Sequence, residues 1–206
     1  MSNQAKILAT KYKTLFDKAQ INTTLRLAHF FGQGEVEADL KPKRESLNYT
    51  VEALLSNFGR HRISEADAKK YGRTSLQKAN QVEIGNRIYG GNWGKINLGN
   101  TKPDDGYKLR GGGIYQITGR ANWEKLSKDT GIDFINNPDL ILDEKNSIIA
   151  AIWFWNNRKL NDFADKDDAV SISKIINLGN KNSLATPNHL QERISATNKY
   201  KETFKI

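Results

Sequence analysis

Apolar and polar positions in the first 40 residues recur with a helical period. Leu8, Tyr12, Leu15, Phe16 and Ala19 stand three or four apart, which predicts an amphipathic helix over residues 6–19. Asn22, Thr23 and Thr24 offer N-caps to a second helix, whose apolar run of Leu25, Leu27, Ala28, Phe30 and Phe31 carries it to about Leu40. Pro42 is expected to stop it. Residues 50–58 (TVEALLSNF) open on a threonine cap and residues 64–70 (SEADAKK) on a serine cap with Asp67 at its third position, so each predicts a short helix.

From Gly85 to Gly113 the pattern changes. The stretch is rich in glycine, sustains no period of 3.6 and contains NTKPDDG, which predicts a long loop with short strands at most. Loops of that length inside compact domains are usually functional or disordered, and Tyr89, Trp93 and Tyr107 favour function. Helical spacing returns over residues 120–130, 144–158, 167–177 and 187–203. In the second of these Ile148, Ile149, Ile152, Trp153 and Trp155 give a wide apolar face. Strand signals are confined to fragments such as GGIYQITG, so the expected class is mainly α with a minor β element. Without an internal repeat or a Pro/Ser linker, residues 1–206 are expected to form a single domain.

Composition narrows the chemistry. A hydrophobic fraction of 37% in 206 residues suffices for a folded core. The chain has no cysteine, which excludes disulfides, thiolate metal sites and a cysteine nucleophile. His29, His61 and His189 share no metal-ligand spacing, so neither a metal nor another cofactor is expected. The start MSNQAKILATKYKTLF has no basic segment followed by an apolar one, and no run reaches the ~18 apolar residues of a membrane span. A protein made in the cytoplasm without a signal peptide is expected. The formal net charge of +9 concentrates the chain near polyanions, whether nucleic acid, anionic lipid or an anionic cell wall. Charge alone does not choose among them, and Lys and Arg are interleaved with acids as on a solvated face.

Three clusters carry candidate chemistry. His29, Gln33 and Glu37 lie at i, i+4 and i+8 and share one helix face, which is equally the pattern of a solvated stripe. Glu45 follows eight residues later. On an unbroken helix the two carboxylates would be ~12 Å apart, whereas a turn after Pro42 would allow the ~6.5–9.5 Å of an inverting glycosidase. The third cluster, RGGGIYQITGRANW at 110–123, combines three glycines with Gln116, Thr118, Asn122 and aromatics, a mixture suited to sugars. It lacks the Lys-Ser/Thr ending of a phosphate loop. Asp104 and Asp105 are held in reserve as an alternative base.

Together AHFFGQGEVE (28–37), ESLNY (45–49), LRGGGIYQITGRANW (109–123) and IINLG (175–179) resemble, in this order, the motifs of glycoside hydrolase family 19, and of its phage-endolysin branch. The resemblance spans about residues 20–200. It implies a lysozyme/chitinase-like α+β fold with a glycan-binding cleft, and no separate wall-binding module. Glu37 stands at the general acid and Glu45 at the second catalytic carboxylate. Thr118 stands at the residue that helps hold the attacking water. Gln116, Asn122 and Asn177 match substrate-contacting amides, Tyr89 and Trp93 supply rings for the glycan, and Arg193 matches a late arginine supporting the acidic centre. Val36 replaces the histidine that commonly precedes the first glutamate, Gly112 replaces an arginine, and Asn180 and Lys181 stand where plant chitinases carry an acid.

The activity implied is an endolysin's inverting hydrolysis of β-1,4 bonds in peptidoglycan, on the cell wall after release from the host cytoplasm. A chitinase acting on GlcNAc polymers, or an inactive glycan-binding module, are the alternatives. The partner expected is peptidoglycan or a related amino-sugar polymer rather than nucleic acid, and the protein is expected to be a monomer. In that scheme the apolar helix around Glu37, with Phe30 and Phe31, raises its pKa, while Glu45 stays ionised.

Overall fold

The computed structural model describes residues 2–205. In chain order its α-helices are α1 Ser2–Lys11, α2 Lys13–Lys18, α3 Thr24–Ala38, α4 Val51–Asn57, α5 Glu65–Tyr71, α6 Gln81–Ile88 and α7 Gly91–Leu98. There follow α8 Asp105–Lys108, α9 Arg120–Thr130, a 3-10 turn Pro138–Leu142, α10 Glu144–Asn157, α11 Asn161–Ala164, α12 Ala169–Leu178 and α13 Leu190–Thr203. The class is mainly α. Among the described residues, β pairing is limited to isolated bridges, Arg44 with Gly112, Gly112 with Ile117 and Thr50 with Arg73. The minor β element is therefore smaller than the GGIYQITG pattern suggests.

Several helix starts follow from single side chains. Thr23, Thr50 and Ser64 each accept a hydrogen bond from the amide three residues on, satisfying one of the N–H groups a helix start leaves open. At its other end α3 stops before Pro42, because Asp39 and Leu40 both turn left-handed, at φ 54° and 57°. The leading helix divides at Tyr12, which leaves helical geometry and donates its hydroxyl to Glu144 Oε1 at 2.8 Å.

The predicted loop at 85–113 is corrected to the end of α6 followed by α7 and α8. These helices are too short to display a period, and their glycines serve contact. A Cβ on Gly85 would sit 2.8 Å from Leu47 Cδ1 and 2.9 Å from Tyr107 Cα.

The chain packs as two compact units. The first comprises the segments up to Lys43, Gly113–Tyr115 and the chain from Leu142 onward. Its core is aromatic: Phe30 meets Phe16, Tyr115 and Trp155 at ring-centroid distances of 5.2, 5.4 and 5.5 Å. The pairs with Phe16 and Tyr115 are edge-to-face, and such pairs add about 0.5–1.5 kcal/mol each beyond the area they bury. Along α3 lies α13, and Gly32 sets their approach: a Cβ there would stand 2.8 Å from Thr197 Cα.

The second unit comprises Arg44–Gly112 and Gln116–Ile141. Leu47, Leu54, Ile63, Ala68, Ile84 and Ile88 form its apolar centre, with Tyr49, Phe58, Tyr89 and Tyr107 packed against it. The buried carboxylate of Asp105 accepts from Arg120 Nε at 2.8 Å and Nη2 at 2.5 Å, and from the amides of Thr101 and Lys102 at 2.8 Å. This fork ties the start of α8 to the start of α9. Among the described residues no helix is long and apolar enough to cross a membrane.

Candidate functional site

The polar row on α3 is not a solvated stripe. His29 and Gln33 are fully buried and the Glu37 side chain is 16% exposed. Glu37 Oε1 accepts from Arg193 Nη2 at 2.6 Å, and Arg193, at 2% exposure, also donates Nη1 to Gln33 Oε1 at 2.8 Å and Nε to Asn188 O at 2.9 Å. Each guanidinium edge thus has an acceptor, which a buried charge requires. Gln33 in turn donates to Ser173 Oγ at 3.1 Å. Asn177 belongs to the same network, its Oδ1 accepting from the Asn188 amide at 2.8 Å. That bond fixes the segment whose carbonyl holds Arg193.

The expected apolar sheath around Glu37 is corrected. Phe30 and Phe31 turn into the aromatic core, against Phe16, Tyr115, Trp155, Tyr200 and Phe204. The carboxylate meets a guanidinium instead. At the other end of the row, His29 Nε2 bonds Asp167 Oδ1 at 2.8 Å, yet burial outweighs that carboxylate and lowers the histidine pKa.

In the second unit Glu45 follows the turn after α3. Its backbone amide donates to Gly111 O at 2.8 Å, the Gly111 amide donates to its Oε2 at 3.3 Å, and Tyr89 Oη donates to its Oε1 at 2.8 Å. A Cβ on Gly111 would fall 2.8 Å from Gln116 Oε1 and 3.2 Å from Glu45 Cβ, so a side chain there would displace the Gln116 amide and press on Glu45. Burial raises the Glu45 pKa, ahead of the opposing effects of Tyr89, the Gly111 amide, Arg110 and Arg62.

The other predicted residues of this unit divide by role. Thr118 Oγ1 donates to Gln116 O at 2.9 Å, and Asn122 Nδ2 donates to Thr118 O at the same distance. This ladder hangs on Gln116, whose φ of 47° is left-handed. Tyr89, expected as a sugar platform, spends its hydroxyl on Glu45. Trp93 has the guanidinium of Arg62 over its ring at 3.8 Å. Arg62 went unread in the sequence, although it also lies over Phe58 at 4.8 Å and Tyr89 at 5.5 Å and donates Nε to Ile88 O at 2.8 Å. No spacing in HRIS announces that role.

Asp105, the reserve base, is committed to Arg120. Although burial pushes its pKa up, Arg120 and the Lys102 and Thr101 amides outweigh it and hold the carboxyl below the usual range. Among the described residues no group of three or more His, Asp or Glu is placed to hold a metal ion.

Residues 97–174 match the sequence profile of the family described as "Chitinase class I". A "Glycosyl hydrolase family 19 domain-containing protein" of Haemophilus influenzae is 30% identical over 164 residues, covering 79% of this chain and 76% of that protein. Acidic endochitinase Q of Nicotiana tabacum is 42% identical over 53 residues, 25% of this chain and 21% of its own length. The acidic endochitinase of Petunia hybrida is 33% identical over 86 residues, covering 41% of this chain and 33% of that protein.

Proposed function

The chain belongs to glycoside hydrolase family 19 and is a glycoside hydrolase, and from that premise we propose that it is an endolysin that hydrolyses β-1,4 bonds of the peptidoglycan backbone with inversion. The observation that carries this reading is the setting of Glu45. A desolvated carboxylate held by one phenol and one amide is a stronger Brønsted base than an exposed one, and catalysis favours a base whose pKa approaches the working pH.

In the proposed reaction Glu37 protonates the leaving glycosidic oxygen and Glu45 takes a proton from the attacking water, which Thr118 helps to hold. Arg193 occupies Glu37 Oε1, which leaves Oε2 to carry the transferred proton. The amide groups of Gln116, Asn122 and Asn177 and the ring of Trp93 serve the glycan. For peptidoglycan over chitin, support comes from the net charge of +9, which draws the enzyme to an anionic wall, and from Asn180 and Lys181 at positions where plant chitinases are acidic.

Chitin hydrolysis is the second reading, favoured by the matched segments of the tobacco and petunia endochitinases. Digestion of purified peptidoglycan beside chitin oligomers, with mass and reducing-end analysis of the products, separates the two. Soluble muropeptides with new reducing ends are expected from peptidoglycan. Cleavage of chitin oligomers alone would overturn the endolysin reading.

A further inference from the structure

The second unit contains a cavity of about 720 Å³ that the reaction described above does not use. Arg44, Lys108 and Arg110 line it, with Asp104 and Asp139 the carboxylates among its lining residues. Three cations against two carboxylates leave an excess of positive charge.

Arg44 is the unusual member. Its side chain is 7% exposed, with Nη1 donating to Asp139 Oδ1 at 2.8 Å and Nη2 to Lys108 O at 2.5 Å. Its Nε is buried without a partner. Asp139, the carboxylate it meets, is 78% exposed, so solvent screens much of that attraction. Arg110 lies over the Tyr107 ring at 4.0 Å and donates Nη1 to Tyr107 O at 2.9 Å and Nε to Glu45 O at 3.1 Å. Burial, and then repulsion from Arg110, push Arg44 down to about 10. Two guanidinium groups line one cavity, and the guanidinium is the side-chain group whose charge and fork geometry a carboxylate matches.

The cavity exceeds what a single ion needs and falls within the ~300–1,000 Å³ of small-ligand sites. Val82, Pro138 and Leu140 add an apolar wall suited to short aliphatic side chains. The catalytic segment forms part of its border, since Arg44 directly precedes Glu45 and Arg110 bonds the Glu45 carbonyl. We propose that this cavity is a carboxylate subsite that receives the peptide branch of peptidoglycan when the glycan lies at Glu45. The assignment rests on the peptidoglycan reading above. Chitin carries no such branch, so this subsite would make the enzyme selective for peptide-bearing glycan.

The test is calorimetric titration of the wild-type protein with an N-acetylmuramoyl tripeptide, a monosaccharide that offers no glycosidic bond to cut. The same compound with its carboxylates converted to amides is the comparison. The free acid is expected to bind at least ten-fold more tightly. Val82→Trp fills the cavity from a position 46% exposed, where a large ring is compatible with folding. It should abolish that preference while leaving cleavage of chitin oligomers unchanged, and Lys108→Gln should reduce it. Equal affinity for acid and amide, absence of binding by either, or an unaltered preference in Val82→Trp would overturn the subsite. Failure of the endolysin reading is read separately. If peptidoglycan is not cleaved but the acid still binds preferentially, the subsite stands and that reading falls. If peptidoglycan is cleaved while acid and amide bind alike, only the subsite falls.

Discussion

Arg193 and Glu37 form a 2.6 Å ion pair between α13 and α3, and Gly32 makes it possible by letting the two helix backbones meet at Thr197. Removing the guanidinium leaves a partly buried carboxylate and the buried Gln33 Oε1 without their donor. Breaking one side of such a pair costs about 3–5 kcal/mol. Arg193→Gln is therefore expected to lower the unfolding free energy by about 3 kcal/mol in urea titrations, with turnover reduced as well. By contrast, Glu37→Gln keeps the shape of the side chain and should leave the fold intact while reducing turnover below about a tenth. A stable Glu37→Gln protein with near-normal turnover would remove Glu37 from the reaction.

Tyr89 offers a test of the base proposed for the reaction, Glu45, that does not delete it. Its hydroxyl favours the ionised form of Glu45, against the effect of burial. In Tyr89→Phe that help is gone, so the Glu45 pKa rises further and the acidic limb of the kcat/KM profile moves to higher pH. The basic limb should stay in place. An unmoved acidic limb would mean that Glu45 does not govern it.

His29 predicts a stability change near pH 6. Its pKa is lowered in the folded protein, so below the ordinary value of 6.5 the unfolded chain binds more protons than the folded one. Stability is therefore full above 6.5 and falls as pH drops from there toward the lowered pKa. Urea midpoints at pH 7.5 and 5.5 should differ in the wild type, and the difference should narrow in His29→Gln. Equal narrowing in His61→Gln, a histidine the row on α3 does not include, would place the effect elsewhere.

Stereochemistry tests the two glutamates as a pair. A single displacement by water on a β-linked substrate yields the α-anomer first. Proton NMR of the anomeric signals during the first minutes of hydrolysis should show that species before mutarotation. A β-anomer appearing first would replace the water-activating role of Glu45 with a covalent one.

Much of this was legible in the chain, for identifiable reasons. Thr23, Thr50 and Ser64 announce their helices because a cap is a local bond between residues three apart. The His29, Gln33 and Glu37 row was legible as a shared face, but its burial was not, because α13 covers it from the far end of the chain. Glycine misled at 85–113, where close contact and helix breaking leave the same letters. Arg62 was invisible for the related reason that its three rings, from Phe58, Tyr89 and Trp93, come together only by folding.

The pairing of Glu37 with Arg193 also fixes when the site can come into being. The two residues are separated by 156 positions, and at ribosomal speeds of about 5–20 residues per second Arg193 is made roughly 8–30 s after Glu37. Through that interval α3 has a carboxylate with no counter-charge and a glycine surface with no helix to receive. Completion of this ion pair is thus a late event in biosynthesis, set by the docking of α13, and a nascent chain still on the ribosome would carry the Glu37 carboxylate without the guanidinium that holds it.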